Sequence, residues 1–383
     1  MDYRKLGKTN VSASLLGFGC MRFPTTKGGE INSAEAEKML DLAYSKGINY
    51  FDTAYVYHSG KSEEFVGKVL SKYERSSYYI ADKLPCWMIN SLDDAQRIFN
   101  EQLQRLQTDY IDFYLLHSLG KQSWDKMVEI CVPEFCENLK KQGKIKYLGF
   151  SFHDEYKVFE EILTSREWDF CQIQLNFMDI EHQAGMKGYE LAERLGVPLV
   201  IMEPLKGGML ASLPEDITAE LRKANPNASI ASWGLRWIGS LPNVKVVLSG
   251  MSAMEQLEDN LSIYSDFKPL SDEEQQMIRR LSEALRSKMN NGCTGCKYCL
   301  PCPAGVNIPK NFSIWNEYGM YQNKRIAAWQ WKNNIDDKRK AKNCVSCGQC
   351  EEVCPQNINI REDLSRLQKE LDSVVESLKA SSK

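Results

Sequence analysis

The sequence predicts an α/β protein: a closed (β/α)8 TIM-type barrel followed by a small, mainly helical, cysteine-rich domain. Three observations predict it. Short apolar runs alternate with amphipathic stretches from residue 1 to about 265, the alternation makes eight strand–helix units, and eight of 13 cysteines crowd into two runs beyond residue 290. Strands alternating with helices imply a parallel sheet covered by helices. Eight units in that span suit a closed barrel better than an open doubly wound sheet. An open sheet also calls for a glycine-rich phosphate turn after its first strand, and "LLGFGCMRF" offers only G-x-G, a weak signal.

The opening "YRKLGKTNVS" reads as a small hairpin ahead of the barrel, with Gly7 or Thr9-Asn10 in its turn. The strand-like runs are then "SLLGFGCMRF", "NYFDTAYVY", "YYIADKL", "DFYLLHSL", "KYLGFSF", "FCQIQLN", "PLVIMEPL" and "VKVVLSGM". Between them lie helical stretches such as "SAEAEKMLDLAYSKG", "SEEFVGKVLSKY", "DDAQRIFNEQLQRLQ", "SWDKMVEICVPEFCENLKKQG" and "GMKGYELAERLG", and "MEQLEDNLSIY" follows the last strand. In the first helix Ser33 can cap the N-terminus. Ala36, Met39, Leu40 and Ala43 recur at i, i+3, i+4 and i+7 before Gly47 stops it. "SDEEQQMIRRLSEALRSKMNNG" reads as a capped helix ending at Gly292, and "REDLSRLQKELDSVVESLKASSK" as an amphipathic helix with a polar end. The expected partition is a barrel over 1–285, a cysteine module over 286–360, and a C-terminal helix and tail over 361–383.

Hydrophobic residues make up 43% and charged residues 26% of the chain, enough apolar surface for a core. A formal net charge of -3 argues against a general nucleic-acid binder. The start "MDYRKLGKTNVSASLLGFGC" lacks the layout of a signal peptide, and no apolar run approaches the ~18 residues of a membrane helix. The expectation is a cytoplasmic protein without membrane or nucleic-acid partners. In that setting clustered thiols suit metal better than disulfides.

Catalytic residues of such barrels sit at the C-terminal ends of strands. Strands two, three and four end "FDTAYVY", "ADKLP" and "LLHSL", presenting Asp52, Tyr57, Lys83 and His117. A phenol titrating near ~10 is a poor proton donor or acceptor at neutral pH. A neighbouring ammonium favours the phenolate, a carboxylate keeps that ammonium charged, and an imidazole can hydrogen-bond a substrate oxygen. The plainer readings are a helix-capping or ion-paired Asp52, a solvated Lys83 and a buried structural His117. His58, His153 and His182 read as surface or rim residues, His58 close enough to the tyrosine to touch substrate.

"FDTAYVY", "ADK", "LLHSL", "GFS", "QIQLN", "EPL" and "SGMSAMEQLEDN" occur in an order that resembles the aldo-keto reductases across residues 1 to about 265. The resemblance implies a catalytic tetrad of Asp52, Tyr57, Lys83 and His117, and hydride exchange between NADPH or NADH and a small carbonyl or alcohol. It also implies cofactor contacts: Ser151 and Gln172 at the carboxamide, Met202 where a stacking aromatic often lies, Pro204, Leu205 and Lys206 in the pyrophosphate loop, and Met21 as a further contact. Gln256 and Asn260 would lie nearest the adenosine, and Ser249 and Gly250 with the following helix N-terminus are suited to anion binding. Two departures stand out. "SGMSAMEQLEDN" contains no Lys or Arg to pair a 2′-phosphate, so NADH and NADPH both stay open. Met202 packs on a ring less rigidly than an aromatic would.

The cysteine runs are Cys293-x2-Cys296-x2-Cys299-x2-Cys302-Pro303 and Cys344-x2-Cys347-x2-Cys350-x3-Cys354-Pro355. Three cysteines at i, i+3 and i+6 wrap one face of a cubane, and a distant fourth followed by proline completes it. In two-cluster ferredoxins the last cysteine of each run ligates the other run's cluster. That pattern groups Cys293, Cys296, Cys299 and Cys354 around one 4Fe–4S cluster and Cys344, Cys347, Cys350 and Cys302 around the other. The first run departs from it, with two residues rather than three before its last cysteine. Zinc is the competing occupant of C-x2-C pairs. The 40 connecting residues are aromatic-rich and helix-compatible, resembling a helical dicluster ferredoxin module; the whole is similar to an iron–sulfur subgroup of the reductases. Iron–sulfur clusters move single electrons whereas nicotinamide moves a hydride. Three roles follow for the clusters: structural or sensory, passing electrons to a redox partner protein (a ferredoxin or a flavoprotein), or feeding the barrel through a further cofactor. A different class of function also follows, a redox sensor using the barrel as a nicotinamide-binding scaffold.

Overall fold

The structure, a computed structural model, describes residues 1–7, 9 and 11–380. Asn10 of the expected hairpin turn and the last three residues of the tail lie outside the described residues. Strands β1 (Tyr3–Lys5) and β2 (Ser12–Ser14) pair antiparallel, and Gly7 between them has a positive φ of 53°, which glycine adopts without strain. Then come β3 (Leu16–Gly19), β4 (Tyr50–Asp52), β5 (Tyr79–Pro85), β6 (Ile111–Leu119), β7 (Ile145–Phe152), β8 (Phe170–Gln174), β9 (Leu199–Met202) and β10 (Val244–Ser249). They close into a parallel barrel in which each strand neighbours the next and β10 returns to β3. The barrel is filled, not hollow: Tyr50, Phe113, Phe170, Val200 and Val246 pack with Leu6, Val11 and Ala13 of the hairpin. A Cβ on Gly7 would meet the Pro198 ring, just ahead of β9, so the hairpin covers the barrel's N-terminal face.

Outside the strands run α1 (Ser33–Ser45), α2 (Ser62–Leu70), α3 (Leu92–Leu106), α4 (Lys121–Glu129), α5 (Val132–Lys141), α6 (Tyr156–Thr164) and α7 (Gly185–Leu195). They are followed by α8 (Glu215–Ala224), α9 (Ile230–Gly239) and α10 (Met254–Ser265). Local chemistry moves some boundaries from their expected places. Ser33 is the first residue of α1, not its cap; Asn32 holds the cap position and its amide donates to Glu35 Oε2 at 3.1 Å. The stretch around "MVEICVPEF" is two helices, because Cys131 is left-handed at φ 59° and Pro133 opens the next first turn. Helix α11 (Asp272–Ser287) stops short of Gly292. Its start is a reciprocal cap: Glu274 N donates to Ser271 Oγ at 3.2 Å, and Ser271 N to Glu274 Oε2 at 2.9 Å.

The chain divides into two compact units, residues 1–207 with 231–275, and residues 208–230 with those from 276 onward. This differs from the partition expected at residue 285 in two ways. Residues 208–230 join the second unit through ion pairs from Asp216 to Lys288 at 2.6 Å and from Glu220 to Arg280 at 2.5 Å. The last helix is also no appendage. After α12 (Ile308–Tyr321), α13 (Lys324–Asn333) and the short α14 (Gln349–Glu352), α15 (Ile360–Ala380) buries Leu364, Leu367 and Leu371 against Phe312, Trp315 and Trp331. The indoles are anchored as well as packed: Trp315 Nε1 donates to Glu370 at 2.7 Å and Trp331 Nε1 to Asp372 at 2.9 Å. No helix of the described residues is long and apolar enough to cross a membrane.

Candidate active site and cysteine cavities

The strand register builds the site. Asp52 lies opposite Ala81, and His117 opposite Pro85, while Lys83 falls midway between those two positions on β5. Residues 81, 83 and 85 share a face because side chains alternate along a strand. Asp52, Lys83 and His117 therefore stand in ascending order at the C-terminal end of the barrel. Tyr57 follows β4 in a tight turn, its N–H donating to the Ala54 carbonyl at 3.0 Å. The next two residues, His58 and Ser59, are both left-handed at φ 49° and 56°, a backbone that non-glycine residues adopt at a cost.

Lys83 Nζ is fully buried, 2.7 Å from Asp52 Oδ1 and 2.5 Å from the Thr53 carbonyl. It lies 4.9 Å from the centre of the Tyr57 ring. Burial works against the ammonium, but the Asp52 charge and Tyr57 outweigh it and the lysine pKa is raised. Burial likewise raises the Asp52 carboxyl, with Lys83 opposing. The proton therefore belongs to the amine. Tyr57 corrects a simpler expectation. Lys83 does pull the phenol towards ionisation, yet burial acts the other way and more strongly, so its pKa lies above the ordinary value. The phenol holds its proton at neutral pH.

His117 meets Tyr57 edge-on, ring centroids 6.1 Å apart. Burial and the Lys83 charge push its pKa down to about 2. It is thus a neutral imidazole, with Nδ1 buried and unpartnered among the described residues. Trp87, which sequence reasoning grouped with no site, lies over His117 at 5.0 Å and is 52% exposed. Its position two residues past the end of β5 was the available signal. His153 and His182 are exposed, and His58 is half-buried beside Phe23 at 5.7 Å.

The expected cofactor residues separate into groups. Ser151 and Gln172 are paired across β7 and β8. Ser151 Oγ accepts from Ser118 N at 2.8 Å, and Gln172 Nε2 reaches Met202 Sδ at 3.5 Å. Gln172 Oε1 is buried with no partner among the described residues, an acceptor of the kind a carboxamide N–H satisfies. Asn260 donates to Ser249 Oγ at 2.9 Å, while Gln256 Oε1 accepts from Ser252 N at 2.8 Å. Lys206, beyond buried Pro204 and half-buried Leu205, has its ammonium engaged by Asp179 at 2.7 and 2.9 Å. Met21 is 51% exposed. Arg22 was missed: a Cβ on Gly250 would fall 2.8 Å from its Cγ, so the stem of an arginine from outside the "SGMSAMEQLEDN" motif packs against that glycine.

In the second unit, one cavity of about 190 Å³ is lined by Cys299, Cys302, Cys344, Cys347 and Cys350. Another is lined by Cys293, Cys296, Cys299 and Cys354. The last cysteine of each run thus faces the other run's cavity, and Cys299 borders both. All 13 cysteines are unpaired by disulfide. Among the described residues no three His, Cys, Asp or Glu groups form a single-ion site. Thiolates spread round the cavity of about 190 Å³ suit a bulky centre better than one tetrahedral zinc, which draws its sulfurs to about 2.3 Å from a common point.

Two family models match the chain: the aldo/keto reductase family over residues 15–283 and the 4Fe-4S dicluster domain over residues 292–358. Among curated relatives, "Uncharacterized oxidoreductase YqkF" of Bacillus subtilis is 29% identical over 308 residues, covering 72% of this chain and 94% of that protein. L-galactose dehydrogenase of Arabidopsis thaliana is 26% identical, covering 70% and 90%. Among solved structures, the holo form of aldo-keto reductase AKR11C1 from Bacillus halodurans superposes with a TM-score of 0.62 at 28% identity, covering 73% of this chain and 96% of that one.

Proposed function

The chain belongs to the aldo/keto reductase family, and we propose that its barrel exchanges hydride between NADPH or NADH and a small carbonyl or alcohol, sugars included, while the second unit carries two 4Fe–4S clusters. The observation that carries the reading is the buried Lys83–Asp52 pair 4.9 Å from the ring of a proton-retaining Tyr57. The bound nicotinamide supplies the hydride in reduction and accepts it in oxidation.

The chain's own part is proton transfer and orientation. In the reducing direction Tyr57 Oη gives its proton to the substrate oxygen as negative charge develops there. Lys83, charged and pinned by Asp52, stabilises the phenolate left behind. In the oxidising direction the same phenolate takes the proton from the alcohol. Neutral His117 offers one ring nitrogen to the substrate oxygen. Such general acid–base help contributes about 10²–10⁴-fold. Gln172 and Ser151 would hold the carboxamide, and Met202 would pack on the ring. Arg22 supports a 2′-phosphate contact that the motif itself does not offer.

The eight cysteines Cys293, Cys296, Cys299, Cys354, Cys344, Cys347, Cys350 and Cys302 are the cluster ligands in this reading, grouped by the two cavities they line. A structural role fits first. Residues 291–303 and 344–348 have almost no regular secondary structure, so ligation would tie them to the helical core. Electron exchange with a redox partner is the second reading, favoured by exposed Cys296 and Cys347 and by Tyr298 and Val345, 70% and 68% exposed, on the cavity walls. Unpaired thiols throughout suit a reducing, cytoplasmic setting. The test is steady-state turnover of the cluster-loaded chain with aldehydes, ketones, sugars and alcohols. No nicotinamide-dependent turnover with any class would leave the redox-sensor reading in its place.

A further inference from the structure

Behind the Lys83–Asp52 pair lies a second set of buried polar groups that the hydride reaction does not touch. Asp82 precedes Lys83 on β5 and Glu63 lies in the first turn of α2; both are fully buried. Alternation along the strand turns Asp82 away from the barrel interior that Lys83 enters, towards α2 and α3. Gln102 on α3 donates to Asp82 Oδ2 at 2.8 Å, to the Lys83 carbonyl at 3.0 Å and to Glu63 Oε1 at 3.3 Å. Its own oxygen accepts from Tyr114 OH at 2.6 Å. Arg105 Nη1 donates to Glu63 Oε2 at 2.8 Å, and Asp82 Oδ1 accepts from Lys83 N at 2.8 Å. The two carboxyls thus share the Gln102 amide as a common donor.

Charge counting points one way. The buried carboxyls Asp52, Glu63 and Asp82 face two cations, Lys83 and Arg105. Were all three ionised, one negative charge would stay uncompensated in the interior, which is costly. Two buried carboxyls gathered on one amide avoid this by holding a single proton between them, which removes the repulsion. Burial pushes both above the ordinary carboxylate range, Asp82 further because the Glu63 charge adds to it. The other groups facing the pair are the Tyr114 hydroxyl from β6 and the Cys20 thiol beyond β3; burial keeps both protonated.

We propose that Glu63 and Asp82 act as one acid–carboxylate pair holding a single proton, and that the pair positions Lys83 by gripping its backbone while keeping one fixed negative charge behind its ammonium. The pair's protonation stands apart from the reductase reading; its effect on catalysis rests on it.

The experiment uses the full, cluster-loaded chain. Infrared difference spectra of wild type against Asp82→Asn and against Glu63→Gln should each show, at neutral pH, a buried carboxylic-acid carbonyl band lost in the variant. Either single change leaves one carboxylate and one negative charge, because the surviving acid ionises. Each should therefore lower kcat by only about threefold and leave the pH profile in place, whereas the double variant should lose more than about 30-fold, well beyond the product of the singles. Its basic limb should also move to lower pH, since the phenol loses a negative neighbour. Absence of the band in wild type overturns the shared proton, even if the barrel proves catalytic. Single effects that multiply to the double, with the band present, overturn the positioning role. If Asp82→Asn does not fold, Asp82→Ser takes its place in both the single and the double variant, and Glu63→Gln alone still tests the band.

Discussion

Lys83 and Asp52 form an ion pair of 2.7 Å with side chains 0% and 4% exposed. Neither charge has solvent to fall back on. Removing one partner of such a pair typically costs about 3–5 kcal/mol, because the other is left as an unpaired buried charge. Asp52→Asn should lower unfolding stability by that order, and Asp52→Asn/Lys83→Met should recover part of it. Chemical denaturation of the barrel followed by tryptophan fluorescence measures both. A single variant as stable as wild type would show that the pair is not the buried unit described.

Tyr57→Phe removes one oxygen and leaves the ring against His117. Turnover should fall by about 10²–10⁴-fold with nicotinamide affinity within about twofold, since the phenol acts on the substrate oxygen. Fluorescence titration with nicotinamide and steady-state rates separate the two effects. Unchanged turnover would remove the phenol from the reaction.

The pH behaviour follows from two groups. His117, pushed down to about 2 in the fold from an ordinary 6.5, stays neutral wherever the protein is folded. Carbonyl reduction should therefore show no histidine limb between about pH 5 and 8, and its basic limb should fall above the ordinary tyrosine value, near ~10, because Tyr57 is raised. Stability carries the opposite signature. Between about 2 and 6.5 the unfolded chain binds the His117 proton and the folded one does not, so stability rises with pH there and acidification weakens the fold. In His117→Gln that slope should become shallower, measured as unfolding midpoints against pH.

The cavities predict how cysteine losses combine. Cys302→Ser with Cys344→Ser falls in one cavity and should leave one cluster, about four irons per chain. Cys302→Ser with Cys293→Ser falls in both and should leave neither. Iron and sulfide analysis with electron paramagnetic resonance reads the difference. The opposite outcome would mean that each run completes its own centre.

Much of this architecture was legible in the chain. Eight alternating runs foretold the barrel, and "FDTAYVY", "ADKLP" and "LLHSL" named four side chains that do meet at one end of it. What escaped was whatever depends on packing between distant elements. Burial of Tyr57 reverses the direction expected from Lys83 alone, and no local pattern carries burial. Lys206 reads as a free cation until Asp179, 27 residues away, is found against it. Arg22 reaches Gly250 only because β10 closes onto β3. The last helix is legible as amphipathic, but its apolar stripe gives no clue that Trp315 and Trp331 are what it covers.

Each cavity of the second unit draws thiols from both ends of a 40-residue connection. Neither quartet exists, then, until α12 and α13 have folded back and brought Cys344–Cys354 beside Cys293–Cys302. Loading of iron and closure of that loop become coupled events: metal starvation should leave the two cysteine runs loosened on the helical core, and a protease should find those runs before it finds the barrel.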